Sequence, residues 1–379
     1  MDFMVCSKDL RVLLKFCLFN ETSELNCRRI KSQIKPQNSI DPFLLADLLV
    51  ILCVASFTKG VLMSDEKIRL GVSSCLLGEK VRFDGGHKRD RFLTETLSRF
   101  VEFVPVCPEV EMGLPTPRET LRLVGEPALQ RLVFSKSGED ITDRMAAWAN
   151  KRVAELEKEE LCGFIFKSKS PSSGMERVKL YDRNGVPNKE GVGLFARAFM
   201  EHFPLLPVEE DGRLHDPGLR DNFIETIFTL KRWREALQKG ATRGVLVEFH
   251  TRHKLLLLSH STEIYRQMGK LVADAKAMEE QTLFDSYRAL LIKGLRLKTT
   301  VAKHVNVLQH VLGYFKKQLS ADEKQEVLSV IDSYRARQIP LIVPVTLLNH
   351  FVRKYDQVYL QQQVYLNPHP LELKLRNHV

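Results

Sequence analysis

Residues 68–88, IRLGVSSCLLGEKVRFDGGHK, decide the fold: a short apolar run breaks into a polar turn that carries Cys75. The layout recurs in residues 100–125, FVEFVPVCPEVEMGLPTPRETLRLVG, where Cys107 ends the run. It recurs again in residues 163–182, GFIFKSKSPSSGMERVKLYD, whose turn holds Ser170, Pro171, Ser172, Ser173 and Gly174. Apolar runs of this length bounded by turn residues read as buried strands. Parallel strands bring their carboxyl-end turns to one sheet edge, so the three turns are expected to converge as ligands or catalysts.

Outward from these segments, strands are predicted over 68–72, 101–106 and 163–167, with a short β-type segment over 177–181. Helical patterns fall over 91–100, 143–161 and 192–202. Such alternation predicts an α/β domain on an open, mostly parallel, Rossmann-like sheet. Residues 203–221, with Pro204, Pro207, Asp211, Gly212 and Pro217, read as the loop that closes it. Strand signals then stop, and helical spacing over 218–238, 249–276, 282–297, 304–319, 322–337 and 344–352 predicts an all-α domain, with Val343-Pro344 as one break. The expected organisation is an extension over 1–62, an α/β domain over 63–217, a helical linker over 218–243 and the helical domain over 244–379.

A chain of 379 residues with 44% hydrophobic content is long enough for two cores. Its seven cysteines lack regular short spacing and do not resemble a disulfide framework, no CxxC or His/Cys zinc spacing is present, and a reducing, cytoplasmic setting is the simpler expectation. The net charge of +10 favours a polyanionic partner. From Gly244 onward basic residues outnumber acidic ones by roughly seven, so the helical domain carries much of that excess. Residues 43–57 are apolar apart from Asp47, too short and interrupted for a membrane span, and the charged lead-in after Met63 points to a start assigned too far upstream. Cys6, Cys17, Cys27 and Cys53 leave the functional unit with that extension, and no membrane or protein partner is expected.

A thiolate is a soft ligand for zinc, copper or iron–sulfur iron, and Cys75 and Cys107 fall where strand-end turns offer a polar pocket. A cysteine in an apolar stretch also serves as a small buried hydrophobe, which is the reading for Cys162, placed before its strand and near the opposite edge. Glu109 follows Cys107 across Pro108, a place for a general acid or base; the plain alternative is a solvated glutamate beside Glu111. Ser170 and Ser172 either donate hydrogen bonds to a ligand or satisfy their own turn.

The motifs SSCLLGEKVRFDGGHK, PVCPE and KSKSPSSGMERVKLYD resemble the DUF523 family, which includes the thiouracil desulfidases. FHTRHKLLLLSHS, HVNVLQHVLGYFKKQL, IPLIVPVTLLNHF and QVYLNPHP resemble the DUF1722 domain. Fused in this order, over roughly 68–379, they look like the bacterial tRNA 4-thiouridine desulfidases. The resemblance implies a 4Fe-4S cluster held by three cysteines with one iron open. Its ligands fall on Cys75 and Cys107, its catalytic glutamate on Glu109 and its catalytic serine on Ser170. The third ligand position falls on Ser173, where this chain departs from the family's cysteine. Serine or an exogenous ligand, loss of the cluster, or a contribution from Cys162 are the three accounts of that departure.

The implied reaction is hydrolysis of thiolated uracil, 4-thiouridine in tRNA above all, to uridine and sulfide. Thiolated tRNA is then the expected partner, held by lysine and arginine contacts to phosphate. Candidate contacts are Arg252, His253 and Lys254, then Lys293, Arg296 and Lys298, then Lys303 with His304, and Lys316 with Lys317. Arg82, His87 and Lys88 are candidate contacts beside the first turn, whereas His310 and His350 read as core. The competing class is a non-catalytic RNA-binding or structural protein with a degenerate cluster site.

Overall fold

The computed structural model describes residues 67–378, so the expectations for 1–62, including the apolar run 43–57, lie outside the described residues. Four parallel strands form the first sheet in the order β2 (Val101–Val106), β1 (Ile68–Ser73), β5 (Phe164–Phe166) and β8 (Val208–Glu210). Ile68 to Ser73 pair in register with Val101 to Val106, and Gly71 and Val72 pair with Phe164 and Ile165 on the other side. The chain thus leaves β1 to one side for β2 and returns to its other side for β5. That reversal opens a crevice outside the carboxyl ends of β1, β2 and β5.

Packing enforces this order. A Cβ at Gly71 would lie 2.2 Å from the Phe164 ring, so only glycine lets β5 close on β1. Phe164 stacks on Phe166 at 4.3 Å, and Phe195 and Phe199 of α3 (Leu194–His202) pack on both with α2 (Thr142–Leu156) alongside. Fully burying each ring contributes roughly 1.5–3 kcal/mol. Pro105 sits on β2, an edge strand, where a missing backbone donor disrupts no ladder.

A second, mixed sheet was not expected. It runs β4 (Leu129–Phe134), β3 (Leu121–Glu126), β6 (Val178–Tyr181) and β7 (Pro187–Gly191), with antiparallel hairpins at each end and a parallel β3–β6 pair between. The β-type segment expected over 177–181 therefore joins this sheet rather than the first. The helix expected over 91–100 is an irregular π and 3₁₀ stretch, Phe92–Thr96 then Leu97–Arg99, and the expected closing loop contains β8.

Beyond it the protein is helical: α4 (Pro217–Gln238), α5 (Arg243–His260), α6 (Thr262–Ala273), α7 (Glu280–Leu295), α8 (Val301–Gly313), α9 (Ala321–Arg335), α10 (Ile342–Lys354) and the short α11 (Val358–Gln361). The single helix expected over 249–276 breaks at Ser261, which turns extended and caps α6 by accepting from the Ile264 amide at 3.2 Å. Pro344 lies in the first turn of α10, which a proline tolerates, so the break precedes it. The stretch expected as a linker is mostly α4, whose Phe223, Ile224, Ile227 and Phe228 are buried in one core with Ile68, Leu70 and Ile165. Among the described residues no helix is long and apolar enough to cross a membrane.

Candidate active site

Each strand end delivers one wall of a single cavity of about 420 Å³, lined by Cys75, Cys107, Glu109, Ser170 and Ser173 together with Arg118. After β1, residues Ser74–Leu77 make one 3₁₀ turn closed by Gly78 in the left-handed region at φ 100°. The Cys75 carbonyl accepts from the Lys88 amide at 2.9 Å, which folds the following loop back so that Lys88 and Arg82 also line the cavity. After β2, Pro108 opens the short helix α1 (Pro108–Glu111). The Glu111 carboxylate accepts from the Cys107 amide at 2.8 Å and pairs with Arg152 at 3.0 Å, so it anchors the Cys107 turn rather than standing solvated.

After β5 the serine loop is clamped by α3. The amides of Leu194 and Phe195 donate to the Pro171 and Ser172 carbonyls at 3.3 and 2.9 Å. A Cβ at Gly193 would lie 2.5 Å from the Ser172 carbonyl carbon, so glycine permits this approach. Ser172, which is fully buried, donates its hydroxyl to one oxygen of Glu109 and lies 2.9 Å from the Ser170 hydroxyl. The other Glu109 oxygen is 3.6 Å from the Cys107 sulfur and 3.9 Å from the Arg118 guanidinium.

Both thiols are nearly enclosed. Burial pushes the Cys75 thiol up to about 11, with the Glu109 charge adding to it and Lys167 opposing. Burial, then the same carboxylate, push Cys107 up to about 12. Both are therefore neutral thiols at physiological pH, and metal binding has to displace their protons. Cys162 lies at the far edge, with its amide on the Arg69 carbonyl at 2.8 Å and Arg234 3.6 Å from its sulfur. Cys162 is not among the residues that line the thiol cavity. Among the described residues no three His, Cys, Asp or Glu side chains gather to hold a metal, and Ser173 lines the cavity with the two thiols.

Arg118 joins the site although it is not among the expected site residues. Its side chain is 6% exposed and donates to the carbonyls of Val81 and Pro115 at 3.0 and 3.3 Å, joining the two loops behind Glu109. An arginine directly after a Pro-Thr-Pro run near Glu109 was the available signal. Other expected contacts move. Arg296 donates to the Pro204 and Leu206 carbonyls, Lys298 lies 3.7 Å from Asp216, and Arg252 lies 3.5 Å from Glu248, so these groups are engaged in intramolecular contacts. Lys293 is exposed, while His253 and His304 are buried at 2% and 8% exposure and face the interior. His310 and His350, read as core, are exposed because each lies on the outward side of its helix. His310 lines a basic cavity of about 520 Å³ with Lys254, Arg266, Tyr265, Tyr314 and Tyr359.

Residues 70–211 match the family model described as 2-thiouracil desulfurase, and residues 254–370 match the model described as a protein of unknown function, DUF1722. The chain is 33% identical over 158 residues to the uncharacterized protein YbgA of Escherichia coli, spanning 41% of this chain and 94% of that protein. The chain belongs to the 2-thiouracil desulfurase family and carries a DUF1722 domain. It is also 32% identical over 108 residues to the uncharacterized protein YbbK of Bacillus subtilis, spanning 27% of this chain and 71% of that protein. Among solved structures, a [4Fe-4S]-dependent thiouracil desulfidase, TudS, is 29% identical, covers 40% of this chain and 95% of its own, and superposes with a TM-score of 0.33. The cavity that holds both thiols lies within the desulfurase domain.

Proposed function

We propose that the protein removes sulfur from thiolated uracil, with 4-thiouridine in tRNA as the substrate, releasing uridine and sulfide by hydrolysis. The observation that carries this reading is the meeting of Cys75, Cys107, Glu109 and the serine loop in one cavity of a desulfurase-family domain. The donor set fits an iron–sulfur cluster at two positions through thiols and at the third through oxygen, a harder donor. Cys75 and Cys107 would hold a 4Fe-4S cluster, with Ser173 or an exogenous ligand completing the set. When bound, the cluster supplies an electrophilic iron with affinity for a thiocarbonyl sulfur.

The chain's own residues supply the proton chemistry. Glu109 is placed to take a proton from the attacking water and return it as sulfide leaves, so that thiouridine and water give uridine and hydrogen sulfide without net redox change. Ser172 and Arg118 hold the carboxylate in one orientation from two sides. Ser170, 2.9 Å from the Ser172 hydroxyl, orients water or base at the cavity wall. The net charge of +10 and the lysine, arginine and tyrosine lining of the helical cavity support a polyanionic substrate over a free base.

Serine at position 173 favours a second reading, a cluster-free RNA-binding protein, and one experiment separates the two. Anaerobically reconstituted wild type should hold about four irons and about four sulfides per chain, and Ser173→Cys should hold them longer in air. A wild type that takes up no iron while Ser173→Cys does would favour the cluster-free reading.

A further inference from the structure

A second cavity, of about 1090 Å³, opens beside the thiol cavity and shares Thr120, Leu121, Ser168, Lys169 and Pro171 with it. Its basic residues are unequal. Arg213 is neutralised by Glu209 at 2.8 Å and Glu176 at 2.9 Å. Arg122, Lys169, Arg177, Lys179 and Lys189 line the same space and form no ion pair among the described residues. Two carboxylates line the space as well, Glu176 on Arg213 and Glu210, which accepts from the Met175 amide at 2.8 Å, so the cations outnumber them. Five cations without an ion-pair partner among the described residues therefore line one space that shares a wall with the reaction cavity.

The backbone marks the same place. Lys169 and Arg177 hold φ of 62° and 52°, the left-handed region that side-chain-bearing residues rarely adopt, and they flank the Ser170–Ser173 loop on either side. Arg122 lies over the Tyr181 ring at 5.6 Å, giving the wall a planar stacking face. The volume exceeds the range of about 300–1,000 Å³ typical of small-molecule sites. A free base needs neither this space nor this charge, whereas a strand needs both.

We propose that this second cavity holds the phosphates flanking the thiolated base, so that the substrate enters as one nucleotide of an RNA strand. The inference rests on the desulfidase reading and names the part of that substrate which the thiol cavity does not hold. A free nucleotide and a strand share a phosphate ester but differ in how many phosphates reach the five cations.

Lys179 and Lys189 are exposed residues on β6 and β7, so the double variant Lys179→Glu/Lys189→Glu tests the cavity with little risk to folding. Sulfide release is measured anaerobically from 4-thiouracil, 4-thiouridine 5′-monophosphate and a single-stranded RNA bearing one 4-thiouridine. Binding of the same RNA without sulfur is followed by fluorescence anisotropy. In the variant, kcat/KM for the RNA should fall at least about tenfold through KM, with the salt dependence of binding reduced by about one to two contacts, and 4-thiouracil turnover should stay within about twofold. Unchanged RNA binding, an equal loss on 4-thiouracil, or a wild type that processes the monophosphate as well as the strand would each overturn the inference. A wild type that releases no sulfide from any of the three defeats the desulfidase reading instead, and the anisotropy distinguishes that outcome.

Discussion

The carboxyl edge of the first sheet and the interior of the helical domain both bury ionisable groups, and they treat them oppositely. In the helical domain, Glu225 lies between Arg376 at 2.6 Å and His260 at 3.1 Å, and the second His260 nitrogen meets the Leu297 carbonyl at 2.8 Å. Burial works against the Glu225 charge, but Arg376 and His260 outweigh it and hold the carboxyl well below its usual range. His304 likewise spends its Nδ1 on the Tyr365 hydroxyl at 3.0 Å. These groups face each other and staple the carboxyl-terminal segment to α4, α5 and α8. At the sheet edge Cys75, Cys107 and Glu109 instead face a cavity. Shifted protonation therefore marks both regions, and only the open space beside the groups separates a reactive site from a structural one.

The largest expected effect lies at the edge. Cys75→Ala or Cys107→Ala should abolish iron retention after anaerobic reconstitution, since each removes one of two thiols, while the thermal midpoint changes little. Retained iron in either variant would erase the distinction between the regions. Glu109→Gln comes next: the amide keeps the shape but cannot take a proton, so iron content should hold while turnover falls roughly 10²–10⁴-fold. Single-turnover sulfide release measures it, and near-normal rates would remove Glu109 from the chemistry.

The helical interior should fail in the other way. Arg376→Ala strands the Glu225 carboxylate, so denaturant unfolding should show a loss of roughly 3–5 kcal/mol, with iron uptake by the folded fraction unaffected. Iron loss in proportion to stability loss would mean that the regions are coupled. The remaining effect is in pH. Burial holds His250 at about 4 and His253 and His304 at about 3, below the ordinary value near 6.5. Between those values the unfolded chain binds protons that the folded one refuses, so stability is greatest above pH of about 6.5 and declines as pH falls toward 4, by at most about 1.4 kcal/mol per pH unit for each histidine. Urea midpoints at pH 7 and 5 test the sign, and a higher midpoint at pH 5 would refute it.

How far these features were legible follows from the range of each signal. The apolar runs at 68–72 and 101–106 and the turns behind them are local, and β1, β2 and the thiol cavity follow from them. The second sheet was missed because its pairing depends on distant partners, β3 against β6, although Asn184-Gly185 is a hairpin signal between β6 and β7. Helix periodicity located every long helix of the carboxyl-terminal region but ran through Ser261, whose cap ends one helix and begins the next. Arg118 and the cations of the second cavity were invisible because their meaning depends on which carboxylates lie near, a property of the folded chain. For the same reason Arg296 and Lys298 read as free surface charge, whereas they reach across to the α/β domain.

We propose above all that the cavity between β1, β2 and β5 removes sulfur. The most direct measurement is anaerobic sulfide release from 4-thiouridine in RNA by reconstituted wild type beside Cys75→Ala, with uridine quantified in parallel. One sulfide per uridine from wild type and none from Cys75→Ala is the predicted result. Equal sulfide from both proteins, or none from a wild type that carries its full iron, would contradict it.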